Sequence, residues 1–190
     1  MRHADRLATG SKPAPGTLAY LQGFVNTIDL ETGKDDLETP AAAARWFALH
    51  GLLPDGAAVS PAEHGHALAF REALRVLLRA NNGDDLDPEA VATLERLAAA
   101  APLTFHVSSD GTVELRPVGK DVAAALARLM AEAHAAMLAG TWPRLKACAN
   151  HACQWAFFDH SRNRSGTWCS MDVCGNRMKV RSHRERKASS

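Results

Sequence analysis

The stretch CANHACQWAFFDHSRNRSGTWCSMDVCGNR, residues Cys148 to Arg177, holds all four cysteines of the 190-residue chain. They form two pairs, Cys148/Cys153 and Cys169/Cys174, with four residues inside each pair and fifteen between the pairs. Two short-spaced thiol pairs joined by a loop can close around one tetrahedral zinc ion, and this spacing lies at the upper end of the usual range. The pattern predicts one zinc ion held by these four cysteines.

Two other uses of the thiols stay open at this point. An exported protein could join the cysteines in two disulfides, but the opening residues MRHADR are polar and no apolar segment of signal-peptide type follows them. We therefore expect a cytoplasmic protein, in which paired thiols are more often metal ligands than disulfides. His151 or His160 could also replace one cysteine as a ligand. Four thiolates would leave no open position for water, so the predicted zinc is structural and not catalytic.

The residues around the cysteines resemble a known family. The motif that names the CGNR zinc-finger family is Cys174-Gly175-Asn176-Arg177. Further matching segments are Arg144-Leu145-Lys146, Cys148-Ala149-Asn150, Phe158-Asp159, Ser161-Arg162-Asn163 and Trp168-Cys169-Ser170-Met171. Near the other end, Phe24-Val25-Asn26-Thr27 resembles the opening of ABATE, a helical domain that precedes this finger in bacterial transcription regulators. The resemblance implies a DNA-binding C-terminal finger and an N-terminal domain that senses a ligand or stress.

Charge divides the chain into two unequal parts. Residues 1–140 contain 12 Lys and Arg against 18 Asp and Glu, whereas residues 141–190 contain 10 against 3. An acidic body with a basic C-terminal segment predicts that only this segment meets a polyanion. The composition, 46% apolar and 23% charged, is typical of a globular protein. No apolar run approaches the roughly 20 residues of a membrane-spanning helix, so no membrane partner is expected.

Residue patterns in the first 140 positions predict helices joined by short loops. After an N-terminal arm over residues 1–16, we expect helices near residues 17–30, 40–50, 60–80, 87–100 and 121–139. Two β-rich runs around Asp110-Gly111 predict a hairpin over residues 103–116 that packs on these helices. The predicted fold is therefore mainly α with a small β-hairpin. It consists of a helical domain over residues 17–140 and a four-cysteine zinc finger with a basic C-terminal helix over residues 141–190.

Polar residues within the predicted helices allow two interpretations each. Asn26 is either a polar residue at a surface or helix end, or a buried hydrogen-bonding residue that faces a pocket. Arg71, Arg75 and Arg79 repeat every four residues. They form either a solvated or salt-bridged face, which is the more ordinary case, or a binding site for an anionic ligand.

Basic residues after the second cysteine are the candidates for nucleic-acid contact. A helix from Met171 onward could enter a DNA major groove, and the preceding loop could meet phosphates. The predicted contacts are Arg162, Arg164, Asn176, Arg177, Lys179, Arg181 and Arg184. Because Asn176 and Arg177 adjoin Cys174, they could equally brace the zinc knuckle. The basic tail could also be a solvated terminus with general affinity for nucleic acid.

These patterns favour a DNA-binding transcription regulator with a helical domain that senses a small ligand or stress. The alternative is a zinc-stabilised module that binds RNA or protein without sequence-specific DNA binding. No nucleophile–base pair, phosphate loop or open metal site is evident in the sequence, so no enzyme is predicted. A single small finger contacts few base pairs, which favours a homodimer, although no heptad repeat is present to supply one.

Overall fold

The structure is a computed structural model that describes residues 12–188. Its helices are α1 (Leu18–Val25), α2 (Pro40–Leu49), α3 (Pro61–Ala80), α4 (Pro88–Ala98), α5 (Val122–Leu138) and α6 (Asn176–Ala188). Three antiparallel strand pairs accompany them, namely β1 (Ile28–Asp29) with β2 (Lys34–Asp35), β3 (Leu103–Val107) with β4 (Val113–Pro117), and β5 (Leu145–Ala147) with β6 (Ala156–Phe158). The predicted fold class, mainly helical with a small hairpin and a C-terminal four-cysteine finger, is confirmed.

Several helices begin at the caps that the sequence indicates. Thr39, Ser60 and Asp87 each accept a backbone N–H in the first turn of α2, α3 and α4. At α3 the capping box is complete, since Glu63 Oε2 accepts from the Ser60 N–H at 2.8 Å. Asp121 caps α5 in the same way. Each cap pairs an amide that a helix end leaves unsatisfied, and is worth about 1 kcal/mol.

The first helix is shorter than predicted. It ends at Val25, not near Leu30, and Asn26 is its C-cap. The chain then turns back as β1, in which Ile28 pairs with Asp35 of β2. Ile28 falls at a helical spacing from the apolar residues of α1 although it lies in strand β1, which is why the predicted helix was too long.

The main core lies between α1, α3, α5 and the β5–β6 pair. Phe24 and Phe70 are fully buried, and their ring centroids lie 6.0 Å apart. The same cluster includes residues beyond the predicted boundary at position 140, namely Trp142, Leu145, Ala147, Ala156 and Phe158. The helical part and the start of the finger therefore share one core. The domain limits themselves stay predictions, and most of the predicted arm lies outside the described residues.

The β3–β4 hairpin forms at the predicted position, but the prediction that it packs on the helices is wrong for its outer strand. Strand β4 lies against α5, and β3 lies on the far side of it. Phe105 is 77% exposed and Val107 is 64% exposed. None of the helices within residues 12–188 has the length and apolar character needed to cross a membrane.

Candidate metal centre and nucleic-acid interface

The four cysteine sulfurs converge on one point in the C-terminal part. All four Sγ atoms lie within 4.8 Å of one another, and all four side chains are buried. Cys153 and Cys174 Sγ each lie 3.7 Å from Cys169 Sγ. With Zn–S bonds of about 2.3 Å, a tetrahedral site requires sulfurs about 3.8 Å apart. The arrangement therefore fits a zinc ion, and no pair of these cysteines is joined in a disulfide.

Ionisation of the cluster also favours a bound cation. Hydrogen bonds from neighbouring thiols, first Cys148 and then Cys169, lower the pKa of Cys153 to about 7. The same network lowers the pKa of Cys174, with Cys148 as the main cause, and raises the pKa of Cys148 and of Cys169 above the ordinary thiol value, mainly through the bonds to Cys153 and to Cys148 respectively. Four adjacent buried thiolates repel one another, so a cation is needed for all four to ionise.

The first knuckle is built by β5 and β6. Their antiparallel register, with Ala147 opposite Ala156, brings Cys148 and Cys153 to the same end of the strand pair. Cys148 N–H donates to the Trp155 carbonyl at 3.0 Å, which extends the ladder by one residue. The turn between Cys148 and Cys153 is therefore held by a two-stranded sheet that packs in the main core.

The finger has a small core of its own beside the sulfurs. Trp155 and Phe157 are buried with the cysteines, and Trp168 and Val173 pack on them half-buried. Phe158 lies in the main core, on the other face of β6. Alternation along β6 explains the difference, because successive residues point to opposite faces.

Asn26 connects the helical part to the first knuckle. Its side-chain oxygen accepts the Ala156 N–H at 2.7 Å, and its amide nitrogen donates to the Ala156 carbonyl at 2.9 Å. Gln22 donates to the same carbonyl at 3.1 Å. Asn26 is 6% exposed, so the interpretation as a buried hydrogen-bonding residue is right. Its partner is the backbone of β6 and not a pocket.

The three arginines of α3 all form ion pairs within the molecule, and Arg79 pairs with Asp84. Arg71 forms a two-pronged ion pair with Asp35, at 2.7 and 2.9 Å. Arg75 pairs with Glu72 and donates to backbone carbonyls on both sides of the molecule, those of Val25 and Gln154. Both guanidinium groups are buried. The prediction of a solvated or salt-bridged face is confirmed by these ion pairs, and Arg71 and Arg75 are buried because α3 faces the finger and β2.

The end of α3 holds the second side of the knuckle. Asn81 Nδ2 donates to the carbonyls of Trp142 and Leu145 at 3.0 and 2.9 Å. Asn82 Nδ2 donates to the Ala147 carbonyl at 2.8 Å and to the Thr167 carbonyl at 2.9 Å. Both asparagines directly follow α3, at the end of the helix predicted near residues 60–80. Their side chains satisfy carbonyls of the finger that no strand partner reaches.

A buried ion pair shapes the loop between the knuckles. Asp159 Oδ2 accepts from Lys146 Nζ at 2.9 Å and from the Gly166 N–H at 2.8 Å. Lys146 also donates to the carbonyls of Arg164 and Gly166. Although burial raises it, hydrogen bonds from Ser161, Lys146 and Gly166 hold the pKa of Asp159 well below its ordinary value. The loop is therefore tied down from inside, while Arg162 and Arg164 remain exposed.

Two family models match the chain. Residues 4–141 match ABATE, a family described as "putative stress-induced transcription regulator", and residues 144–187 match the CGNR zinc finger. The chain belongs to the ABATE family and carries a C-terminal CGNR zinc finger. Neither description names an enzyme. A comparison with curated proteins found no match.

The glycine of the CGNR motif is closely packed by two side chains. A Cβ atom at Gly175 would lie 2.7 Å from Met171 Sδ and 3.3 Å from a Trp168 ring carbon. The turn over Met171–Gly175 places Cys174 in the sulfur cluster, and the absence of a Cβ at Gly175 leaves room there for the Met171 and Trp168 side chains. Asn176 Nδ2 donates to the Asp172 carbonyl at 3.3 Å and so braces this turn.

All seven residues predicted to contact nucleic acid are exposed in the CGNR finger. They lie on two elements, the loop with Arg162 and Arg164, and α6 with the other five. A groove of about 780 Å³ beside α6 is lined by Asp172, Val173, Asn176, Arg177, Val180, Arg181 and Arg184. Arg177 is also bonded to the helical part, with its NH1 atom 2.7 Å from Glu31 Oε1.

The described end of the N-terminal arm also contacts the CGNR finger. The Lys12 carbonyl accepts the Phe158 N–H at 2.9 Å, and Lys12 Nζ donates to the Trp168 carbonyl at 3.2 Å. His160 Nε2 lies 3.0 Å from the Pro13 carbonyl, so this histidine faces away from the sulfur cluster and towards the arm. The sequence carried no periodic signal for these contacts, because Lys12 and Pro13 lie in an irregular segment.

Proposed function

We propose that the protein is a transcription regulator whose CGNR finger binds DNA and whose helical domain responds to a small ligand or stress signal. The family description supports the regulator role. The observation that carries the DNA-binding part is the position of α6. This helix starts two residues after Cys174 and presents exposed cations, Arg177, Lys179, Arg181, Arg184 and Lys187. The proposed site of action is the cytoplasm, where a bacterial regulator meets the chromosome.

The proposal includes one structural zinc ion bound by Cys148, Cys153, Cys169 and Cys174. Their separations and burial support this ligand set. Asn150 supports it further, since its Nδ2 atom lies 3.8 Å from Cys174 Sγ and can donate to a thiolate. A bound zinc would fix the turn from which α6 starts, and no catalytic step is needed in this role.

Electrostatics supports a DNA partner at this end of the molecule. Residues 141–190 carry seven more cationic than anionic side chains, and the rest of the chain carries six more anionic ones. Guanidinium groups can make bidentate contacts to phosphates or guanine, while lysines act as point charges. Arg162 and Arg164, on a loop held by Lys146 and Asp159, are suited to phosphate contacts because the loop loses little freedom on binding.

For the sensing role, the groove between α5 and β4 is the candidate binding place. Its volume is about 1070 Å³, close to the upper end for small-molecule sites. Apolar and charged side chains line it together, including Leu115, Leu138, Arg116, Arg128 and Glu132. This mixture suits a ligand with an apolar body and an ionised group.

A second candidate function is an RNA- or protein-binding module without DNA sequence specificity. The observation in its favour is the Arg177–Glu31 ion pair, in which a residue predicted to contact DNA bonds to the helical part of the same molecule. If Arg177 of the CGNR motif stays bonded to the helical domain, the finger has one side chain fewer for contacts to DNA bases.

The deciding experiment is selection of zinc-loaded full-length protein on a randomised duplex DNA pool across a salt series, followed by sequencing. The proposal expects a recovered consensus and an affinity that falls steeply with salt. Retention without a consensus favours the second candidate. Absence of retention at moderate salt overturns DNA binding altogether.

A further inference from the structure

Strand β3 leaves one backbone edge open. In an antiparallel pair, residues that exchange hydrogen bonds alternate with residues that do not. The Ser108 N–H donates to the Thr112 carbonyl and the Val118 N–H donates to the Pro102 carbonyl, both at 2.9 Å. Both pairs continue the register in which Leu103 lies opposite Pro117 and Val107 opposite Val113. The residues of β3 that exchange hydrogen bonds with β4 are therefore the even-numbered ones.

The odd-numbered positions therefore face outward. The N–H and C=O groups of Leu103, Phe105 and Val107 point away from β4, and within residues 12–188 no hydrogen bond covers them. Their side chains share one face of the hairpin, and all three are exposed, Phe105 by 77%. Both a backbone edge and an apolar face are thus uncovered on the same five-residue strand.

The usual protections of such an edge are missing. Proteins commonly guard an exposed edge with a lysine, another charge, a proline or a bulge. The sequence of β3, LTFHV, contains no proline or formally charged residue, and its pairing with β4 runs without interruption from Leu103 to Val107. A two-stranded hairpin is marginal in water, and a third strand with an apolar face stabilises it.

We propose that β3 pairs antiparallel with β3 of a second copy of this chain, across a two-fold axis at Phe105. In this register each Phe105 lies opposite its own copy, and Leu103 lies opposite Val107 at both ends. All three outward-facing positions of each strand then exchange hydrogen bonds. The result is a continuous four-stranded sheet with one apolar face.

The strand is complementary to itself on both faces in this register. Apolar residues meet apolar residues on one face, while Thr104 meets His106 on the other. The charged residues of the two strands, Glu114 and Arg116, pair with each other on β4 and stay one strand away from the axis. Like charges are therefore not brought together, and the two-fold contact closes after two copies because β4 lies against α5.

The test is sedimentation equilibrium of zinc-loaded full-length protein from about 1 to 100 µM, with variants Phe105→Lys and Ser109→Lys. Both variants add one positive charge at an exposed position of the hairpin, but only Phe105 lies at the proposed axis. Wild type and S109K should form dimers, and F105K should dimerise at least tenfold more weakly. Circular dichroism and thermal unfolding confirm that F105K is folded, since its side chain leaves no core position.

Hydrogen exchange locates the contact independently. As wild-type concentration rises, amides in residues 103–107 should gain protection, and F105K should lose this gain. A wild type that stays monomeric at 100 µM overturns the proposal. A dimer that F105K forms equally well, or an open series of larger oligomers, overturns it too, because the contact then lies elsewhere or does not close.

Discussion

Two strand pairs of similar local geometry have opposite environments in this molecule. Every residue of β5 and β6 is buried although each strand has only three residues, whereas the five residues of β3 are all exposed. The short pair is enclosed by the sulfur cluster on one side and by α1 and α3 on the other. Strand length and β-propensity therefore do not decide which pair is firmly held. Its surroundings do, and the following substitutions test that difference.

Replacing Cys169 by Ser should have the largest effect. A structural zinc contributes an apparent 10–16 kcal/mol or so to a small finger, about as much as the whole unfolding free energy of a domain. We expect bound zinc to fall from one per chain to near zero and β5–β6 to lose its order. Metal analysis and tryptophan fluorescence measure this. The control is His151→Ala, which should keep its zinc, and loss of zinc there would contradict the four-cysteine ligand set.

Asn26→Leu should destabilise the zinc-loaded protein by about 2–4 kcal/mol. The substitution leaves the buried Ala156 N–H without a partner, which costs about 1–3 kcal/mol. It also removes one of the two donors to the Ala156 carbonyl, worth about 1 kcal/mol, while Gln22 still donates to that carbonyl. Denaturant unfolding measures the loss. The matched change on the exposed hairpin is Thr104→Val, since the Thr104 hydroxyl donates to the Arg116 carbonyl at 3.4 Å. An equal loss in both variants would contradict the difference between the two strand pairs.

Asp159→Asn should cost about 1–3 kcal/mol, because it removes the charge that faces buried Lys146. The pKa of Asp159 is depressed in the folded state, so its stabilisation is present above the unfolded pKa of about 4 and is lost as pH falls below it. Between pH 5 and 8 the difference from wild type should therefore stay constant in denaturant unfolding.

The matched change in the hairpin is Glu114→Gln, which removes the charge facing Arg116. Both side chains of that pair are about half exposed, and exposed pairs contribute about 0–1 kcal/mol. A loss as large as that of D159N would show that burial does not distinguish the two ion pairs.

Sequence reasoning reached the parts of this molecule that depend on local pattern. Cysteine spacing predicted the sulfur cluster. The helices predicted near residues 40–50, 60–80 and 87–100 begin at Thr39-Pro40, Ser60-Pro61 and Asp87-Pro88, which combine an N-cap with a first-turn proline. The β3–β4 hairpin was predicted because its strands are long and enclose an Asp-Gly turn. Strands β5 and β6 were missed, since three residues beside a cysteine carry no period-2 signal and become strands through tertiary contacts.

The residues that join the two parts of the chain were also beyond local pattern. Asn81 and Asn82 look in sequence like ordinary helix-ending residues, and Arg75 looks like a solvent-facing arginine on an amphipathic helix. Their partners include backbone carbonyls 50 to 85 positions away. The sequence indicates such pairing only where a polar residue interrupts an apolar face. Asn26, between Val25 and Ile28, is such a residue.

Arg162→Ala tests whether the firmly held finger is also the functional surface, and its expected effect is the smallest. If Arg162 contacts one phosphate, its loss should lower the slope of log affinity against log salt concentration by about one unit and weaken binding to every duplex alike. Arg116→Ala, which removes an exposed arginine from the hairpin, is the matched control and should leave the slope unchanged. Fluorescence anisotropy with a labelled duplex at several salt concentrations measures both. Equal slopes for the two variants would contradict a phosphate contact by Arg162. A charge that contributes only to the overall electrostatic field should have a similar effect on binding whether it lies on the finger loop or on the hairpin.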